Sequence, residues 1–350
     1  MSVQIQNQTK WAMLAAKASD ALQERYWNSE TCLFENAHPT VTDERFHYWW
    51  QAHALDTLLD AYERSSEKRY LTMADRLMQG ILVQNKGSIT NDYYDDMQWL
   101  VLALLRLYDV TKDKKYLEHV HTLWQDIRAG WNDLCGGGIA WRKPQLDYKN
   151  TPANAPAVIL ATRLYQRFQN KNDLEFALKT YAWLQHNLVD PATGFVWDGM
   201  NRLGDSKIDK EWKFTYCQGV VIGAGLELYH ITKDKIYLEQ AERTAKAGLK
   251  ILCDANGILP DESGGDGGLF KGILIRYFTL LQLEKPDAEI LQILKANGEA
   301  VAKLQSPIAG KDWRVEPVGS VDLSNALSGV MLLEALAKLE KVGMLSSRVS

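Results

Sequence analysis

Two kinds of hydrophobic segment alternate along the chain. The first is apolar on every side: residues 99–108 read WLVLALLRLY and residues 220–229 read VVIGAGLELY. A helix with no polar face belongs inside a protein. The second kind is amphipathic. Tyr116, Val120, Leu123 and Trp124 fall on one stripe by the i, i+4, i+7, i+8 rule, which suits an outer helix with one face on the core. A short polar turn joins the first kind to the second. Thr111-Lys112-Asp113 and Thr232-Lys233-Asp234 are two such turns, and they offer the hydroxyl and carboxylate caps that end and start helices.

The unit of inner helix, tight turn and outer helix recurs every fifty residues or so, as helical-hairpin repeats do. Copies open at Ala61, Leu107, Leu164 and Leu228, with a weaker one at Phe278. Helical segments at 12–26 and 323–339 supply a sixth pair if they pack on each other. The chain shows no polar-faced end repeats of the kind an open solenoid needs. The pattern therefore predicts an all-α fold, a closed (α/α)6 barrel of six helical hairpins forming a single domain over 1–350. An open α-solenoid is the alternative.

In an up-and-down ring, the connections from outer back to inner helices all emerge at one end. Here those connections are long, around 131–154, 190–212 and 254–272, and they hold many of the glycines and aromatics. Long loops on a rigid scaffold are where binding and catalysis concentrate. Composition narrows the function further. Nine prolines in 350 residues agree with a helical chain, and twelve tryptophans with fifteen tyrosines are a large aromatic stock. The net charge of −4 comes without any basic block, so no nucleic-acid or membrane-surface partner is expected. No apolar run reaches the length of a membrane span. Cys32, Cys135, Cys217 and Cys253 form no C-x-x-C pair, and the histidines form no H-x-x-x-H pair, so neither a metal nor another cofactor is expected. The start of the chain lacks a basic segment followed by an apolar one, which reads as a cytoplasmic protein. A monomer is expected. Gly264–Gly268 lacks the spacing of a phosphate loop, and its Asp266 suits sugar hydroxyls better than phosphate.

The most informative stretch is 91–99, NDYYDDMQW, which opens an inner helix at the long-loop end. Asp95 and Asp96 are adjacent there. Their carboxyl groups are expected roughly 5 Å apart, the separation for a retaining glycosidase. Such an enzyme needs one ionised carboxylate to attack and one protonated carboxyl to donate. Like charges side by side supply that difference by raising one pKa. Acidic residues are also favoured in any first turn by the helix dipole, so spacing alone leaves catalysis and simple capping both open.

Residues 94–99 (YDDMQW) resemble the signature of glycoside hydrolase family 76, the α-1,6-mannanases. Supporting elements follow in order: Trp49-Trp50, GGIAW at 137–141, Tyr148-Lys149-Asn150 with Ala153-Asn154, FTYCQG at 214–219, and GGLFKG at 267–272 followed by Arg276. The resemblance spans about residues 10 to 340 and itself implies an (α/α)6 barrel. It further implies metal-free, retaining, endo-acting cleavage of α-1,6-linked mannose in an oligosaccharide or polysaccharide, with Asp95 as nucleophile and Asp96 as general acid/base. Cys217 stands where a small polar residue such as Asn is expected. Beside the pair, Trp50, Trp141 and Phe270 offer flat apolar faces to sugar rings. Asn150, Asn154, Gln218 and Asp266 can hydrogen-bond hydroxyls, and Tyr216 can hold the nucleophile or a hydroxyl. Lys271 and Arg276 complete the candidate set, with pairing to Asp266 or Asp261 as their structural alternative. An N-acyl sugar epimerase on the same barrel would need paired histidines, for which only His47, His53 and His230 lie near inner helices. A non-catalytic glycan-binding repeat protein would keep the aromatics and tolerate loss of the carboxylates.

Overall fold

The computed structural model describes residues 9–43 and 45–345. The inner helices are α2 (Tyr48–Ser65), α4 (Tyr94–Thr111), α6 (Thr151–Phe168), α8 (Thr215–Thr232), α10 (Gly267–Glu284) and α12 (Leu323–Lys341). The outer helices are α1 (Lys10–Tyr26), α3 (Lys68–Gln84), α5 (Lys114–Ala129), α7 (Lys171–Asn187), α9 (Lys235–Leu252) and α11 (Ala288–Ala302). Each inner helix packs on the next, and α12 packs on α2, so the ring closes. The N-terminal α1 lies against the C-terminal α12, which makes the sixth hairpin from the two ends of the chain. The fold is an (α/α)6 barrel.

The tight turns have one chemistry. Four inner helices end on a residue in the left-handed conformation: Ser66, Lys112, Gln169 and Lys233, with φ of 60°, 57°, 56° and 60°. After three of them, Asp113, Asn170 and Asp234 cap the outer helix by accepting from the backbone N–H of Lys115, Asn172 and Ile236. Each orphan N–H satisfied this way fixes where the next helix starts. Between inner helices the contact reaches backbone. A Cβ on Gly219 would sit 2.8 Å from Leu274 Cα, and one on Gly272 would sit 2.8 Å from Ser328 Cα. Glycine is required at both places because α8, α10 and α12 approach too closely for a methyl group.

Short strands decorate the long-loop rim, which the helical pattern does not foretell. Trp27–Asn28 (β1) pairs with Leu33–Phe34 (β2), and Ala37–His38 (β3) pairs with Val321–Asp322 (β7). The second pairing ties the first rim loop to the last. Ala140–Arg142 (β4), Gln145–Asn150 (β5) and Gly199–Met200 (β6) form an antiparallel three-stranded sheet in the order β4-β5-β6 beside the head of α4. Among the described residues no helix is long and apolar enough to cross a membrane.

Candidate active site

A cleft of 480 Å3 opens at the long-loop rim. The first turn of α4 places Asp95 and Asp96 in its wall. The two carboxylates are held differently. Asp95 Oδ1 accepts from the backbone N–H of Asp96 at 3.0 Å, and Asp95 Oδ2 accepts from Trp141 Nε1 at 3.1 Å. Among the described residues, Asp96 Oδ2 accepts from Asn91 Nδ2 alone, at 3.0 Å. Burial among protein atoms raises both pKa values. For Asp95 the rise is to about 7, opposed by its two donors and reinforced by the charge of Asp198. Asp96 goes well above the ordinary carboxylate range, pushed by burial first and then by the charges of Asp95 and Asp266. The pair shares protons as a unit, and the extra donor favours the charge on Asp95.

Three further carboxylate and aromatic groups complete the wall. Asp198 accepts from Tyr216 Oη at 2.8 Å, Tyr148 Oη at 3.0 Å and Cys217 Sγ at 3.5 Å. Burial raises its pKa while these donors lower it. Asp266 Oδ1 accepts from two indoles, Trp49 Nε1 at 2.9 Å and Trp50 Nε1 at 3.1 Å. Tyr216 and Phe270 stack at 3.9 Å with planes 5° apart, and Phe214 and Trp212 extend that apolar surface. Flat rings beside hydrogen-bonding carboxylates match a sugar, whose C–H faces are apolar and whose edges carry hydroxyls.

Of the candidates read from the sequence, Asp95, Asp96, Trp141, Asn150, Tyr216, Asp266 and Phe270 line this cleft. Tyr216 holds Asp198 rather than Asp95. Asn150 spends its side-chain oxygen capping α6 at Ala153 N–H. The remaining candidates lie elsewhere, each for a physical reason. Trp50 is only 2% exposed. Its ring stacks on His47 at 3.8 Å, and the neighbouring Trp49 takes the cleft wall. Asn154 and Gln218 are fully buried clamps. Asn154 accepts from Ile139 N–H and donates to Ile139 C=O, while Gln218 does the same to Val196. Gln51 on α2 grips Phe34 in the same way, so these amides pin rim loops to inner helices. Lys271 is 1% exposed, donates to the Lys311 carbonyl and lies over the Trp313 ring at 4.4 Å. Arg276 sits about 13 Å down α10 from the rim at 1.5 Å per residue. There it faces a second cavity of 620 Å3 at the opposite mouth and pairs with Asp56 and Asp60.

Residues that the sequence reading passes over are Trp49, Tyr93, Tyr148, Asp198, Arg202, Trp212 and Phe214 in the cleft wall. Trp49, Tyr93, Tyr148 and Phe214 carried a signal, standing in the stretches 49–50, 91–99, 148–150 and 214–219. Asp198 did not, because a carboxylate inside an irregular loop has no period to expose it. Among the described residues the histidines form no pair across the cleft: His47 faces Asp43, His53 is buried beneath Trp49 and Trp99, and His230 meets Glu284 at the far ends of α8 and α10.

The raised pKa values have a stability consequence. A carboxyl that binds its proton more tightly when folded contributes stability below its unfolded value, and that contribution fades as pH rises through the folded value. Both members of the pair are shifted upward. Asp96→Asn is therefore expected to raise Tm by about 2–4 °C at pH 8, with the gain vanishing near pH 4. Calorimetry at the two pH values checks it.

A paired-carboxylate cleft on an (α/α)6 barrel is the architecture of a glycoside hydrolase. The family model described as glycosyl hydrolase family 76 matches residues 10–345. The Lin0763 protein of Listeria innocua is 42% identical, with a TM-score of 0.92 over 97% of this chain and 100% of that one. The GH76A α-1,6-mannanase of Salegentibacter sp. HEL1_6 is 40% identical, with a TM-score of 0.89 over 94% of this chain and 100% of that one. A mannan endo-1,6-α-mannosidase of Candida glabrata, DCW1, is 24% identical over 76% of this chain, which spans 65% of that protein's length. The chain belongs to glycosyl hydrolase family 76.

Proposed function

We propose that the protein cleaves α-1,6-linked mannose chains with retention of anomeric configuration, through a mannosyl ester on Asp95. Asp95 attacks the anomeric carbon while Asp96 passes its proton to the departing O6, and the C–O6 bond breaks. Water then attacks the anomeric carbon, Asp96 takes the water's proton, the bond from that carbon to the Asp95 oxygen breaks, and Asp95 is released as carboxylate. One observation carries the division of labour: Asp95 accepts two hydrogen bonds and Asp96 one, from an amide side chain. The better-solvated carboxylate keeps the negative charge, and its neighbour keeps the proton. The Salegentibacter mannanase supports the reading, because an inactive variant of it with two consecutive aspartates replaced is in complex with α-1,6-mannotetrose.

The test is direct. Proton NMR of the first product released from α-1,6-mannotriose is expected to show the α-anomer. A 2-deoxy-2-fluoro-α-mannosyl fluoride is expected to leave its sugar on the peptide containing Asp95. A β-anomer as first product would overturn retention, and a label on Asp96 would reverse the roles.

A further inference from the structure

Trp141 lines the cleft where a sugar platform was expected, yet a cation and two tyrosine rings already pack on its ring. The Arg142 guanidinium lies over its ring at 4.7 Å from the centroid. Tyr93 and Tyr148 meet it edge-on, at 5.1 Å and 5.5 Å. The indole N–H points at Asp95 Oδ2 at 3.1 Å. Arg142 is itself fixed: its Nε donates to Gln145 Oε1 and its Nη1 to Tyr93 Oη. Strand β4 carries Trp141 and Arg142 together, and a backbone bridge from Arg142 to Tyr93 fastens that strand to the residue preceding α4.

A cation over an aromatic face draws on its π electrons. For indole the same withdrawal makes the ring N–H a more positive donor. A donor aimed at a carboxylate favours the charged form and fixes the direction of its lone pairs. The other Asp95 oxygen is held by the Asp96 backbone N–H, so the carboxylate plane is set from both sides. Of the other groups in this wall, Asp96, Asp198 and Asp266 oppose the pair's charge and the Tyr216 phenol lacks charge, while the Arg202 guanidinium pairs with Asp209 and His47 faces Asp43. In this wall the Trp141 indole is the side chain that donates to Asp95.

We infer that Trp141, with Arg142 stacked on it, is a positioning pair that holds Asp95 ionised and oriented for attack, rather than a platform for the sugar. The inference rests on Asp95 being the nucleophile and assigns it a support. Two side chains thus act on the reaction through a third, one by a hydrogen bond and one through the ring that makes it.

Trp141→Phe keeps an aromatic ring and removes the N–H with the rest of the indole. It is expected to lower kcat on α-1,6-mannotriose by about thirtyfold while KM stays within about threefold. The acid limb of kcat/KM is expected to move upward by about one pH unit, because Asp95 then gives up its proton less readily. Arg142→Gln, which leaves the indole in place, is expected to move kcat and the acid limb the same way by a smaller amount. A raised KM with an unmoved acid limb in Trp141→Phe would restore the platform role and overturn the inference. If Trp141→Phe does not fold, an Arg142→Gln variant with a wild-type acid limb overturns it alone. Failure of the underlying reading shows separately, as turnover that survives Asp95→Asn.

Discussion

Asp95→Ala is expected to abolish turnover of α-1,6-mannan, with kcat falling roughly ten-thousandfold, while Asp96→Ala is expected to show a loss that depends on the leaving group. The asymmetry follows from the two roles. Without the Asp95 carboxylate no covalent intermediate forms, whatever departs. Without Asp96 the first step still proceeds for a leaving group that needs no proton, such as a dinitrophenolate, and fails for the sugar hydroxyl of a natural glycoside. Azide is then expected to accelerate Asp96→Ala on the activated substrate, by attacking the mannosyl ester that water no longer reaches with a base at hand. Steady-state rates on dinitrophenyl α-mannoside and α-1,6-mannotriose, with and without azide, separate the cases. Equal losses on both substrates in Asp96→Ala would remove the proton-donor role.

The second large effect belongs to the opposite mouth of the barrel. Arg276 bridges Asp56 and Asp60, and Arg106 bridges the same two carboxylates and Glu63. The members Arg106, Arg276, Asp56 and Asp60 are mostly shielded, with 13–20% of each side chain exposed. Their proximity holds Asp56 ionised and the guanidinium groups firmly protonated, despite burial that favours the neutral forms. Taking one cation from such a network leaves two carboxylates sharing the other, Arg106. Arg276→Met is expected to cost about 1–3 kcal/mol of folding stability, read by urea denaturation, because Asp56 and Asp60 each lose one of two cationic partners. KM for α-1,6-mannotriose in the folded variant is expected to stay at the wild-type value. A weakened KM at unchanged stability would return Arg276 to the substrate.

These two outcomes mark where sequence reading succeeds and where it stops. The ring was legible because periodicity reports burial: the all-apolar runs at 99–108 and 220–229 are α4 and α8, and the Lys-Asp turns are the left-handed stops with their caps. The sixth hairpin was legible because two unpaired helices remained. Asp95 and Asp96 stood out because adjacency in a first turn is itself a geometric statement. The roles of Asn154, Gln218, Lys271 and Arg276 were not legible. A polar residue in an apolar helix announces that it has a partner without saying which. Loop carbonyls hold the first three, and carboxylates three helical turns from the rim hold the fourth. Asp198 was hidden because its partners Tyr148, Tyr216 and Cys217 come from a strand and a helix that the sequence does not show converging.

All six inner helices run in the same sense, since each is entered from the long-loop rim and left through the far end. Their peptide dipoles point the same way along the inner wall, while the six outer helices run the opposite way outside it, so the effect is local to the inner-helix ends. The rim receives six half-positive N-termini and the far end six half-negative C-termini. Acids are favoured by the first and guanidinium groups by the second, which matches Asp95 and Asp96 in the first turn of α4 and Arg64 and Arg167 in the last turns of α2 and α6. The two openings of this ring are not interchangeable. The buried carboxylates Asp56 and Asp60 at the far opening are tied to guanidinium groups, whereas Asp95 and Asp96 at the rim are not.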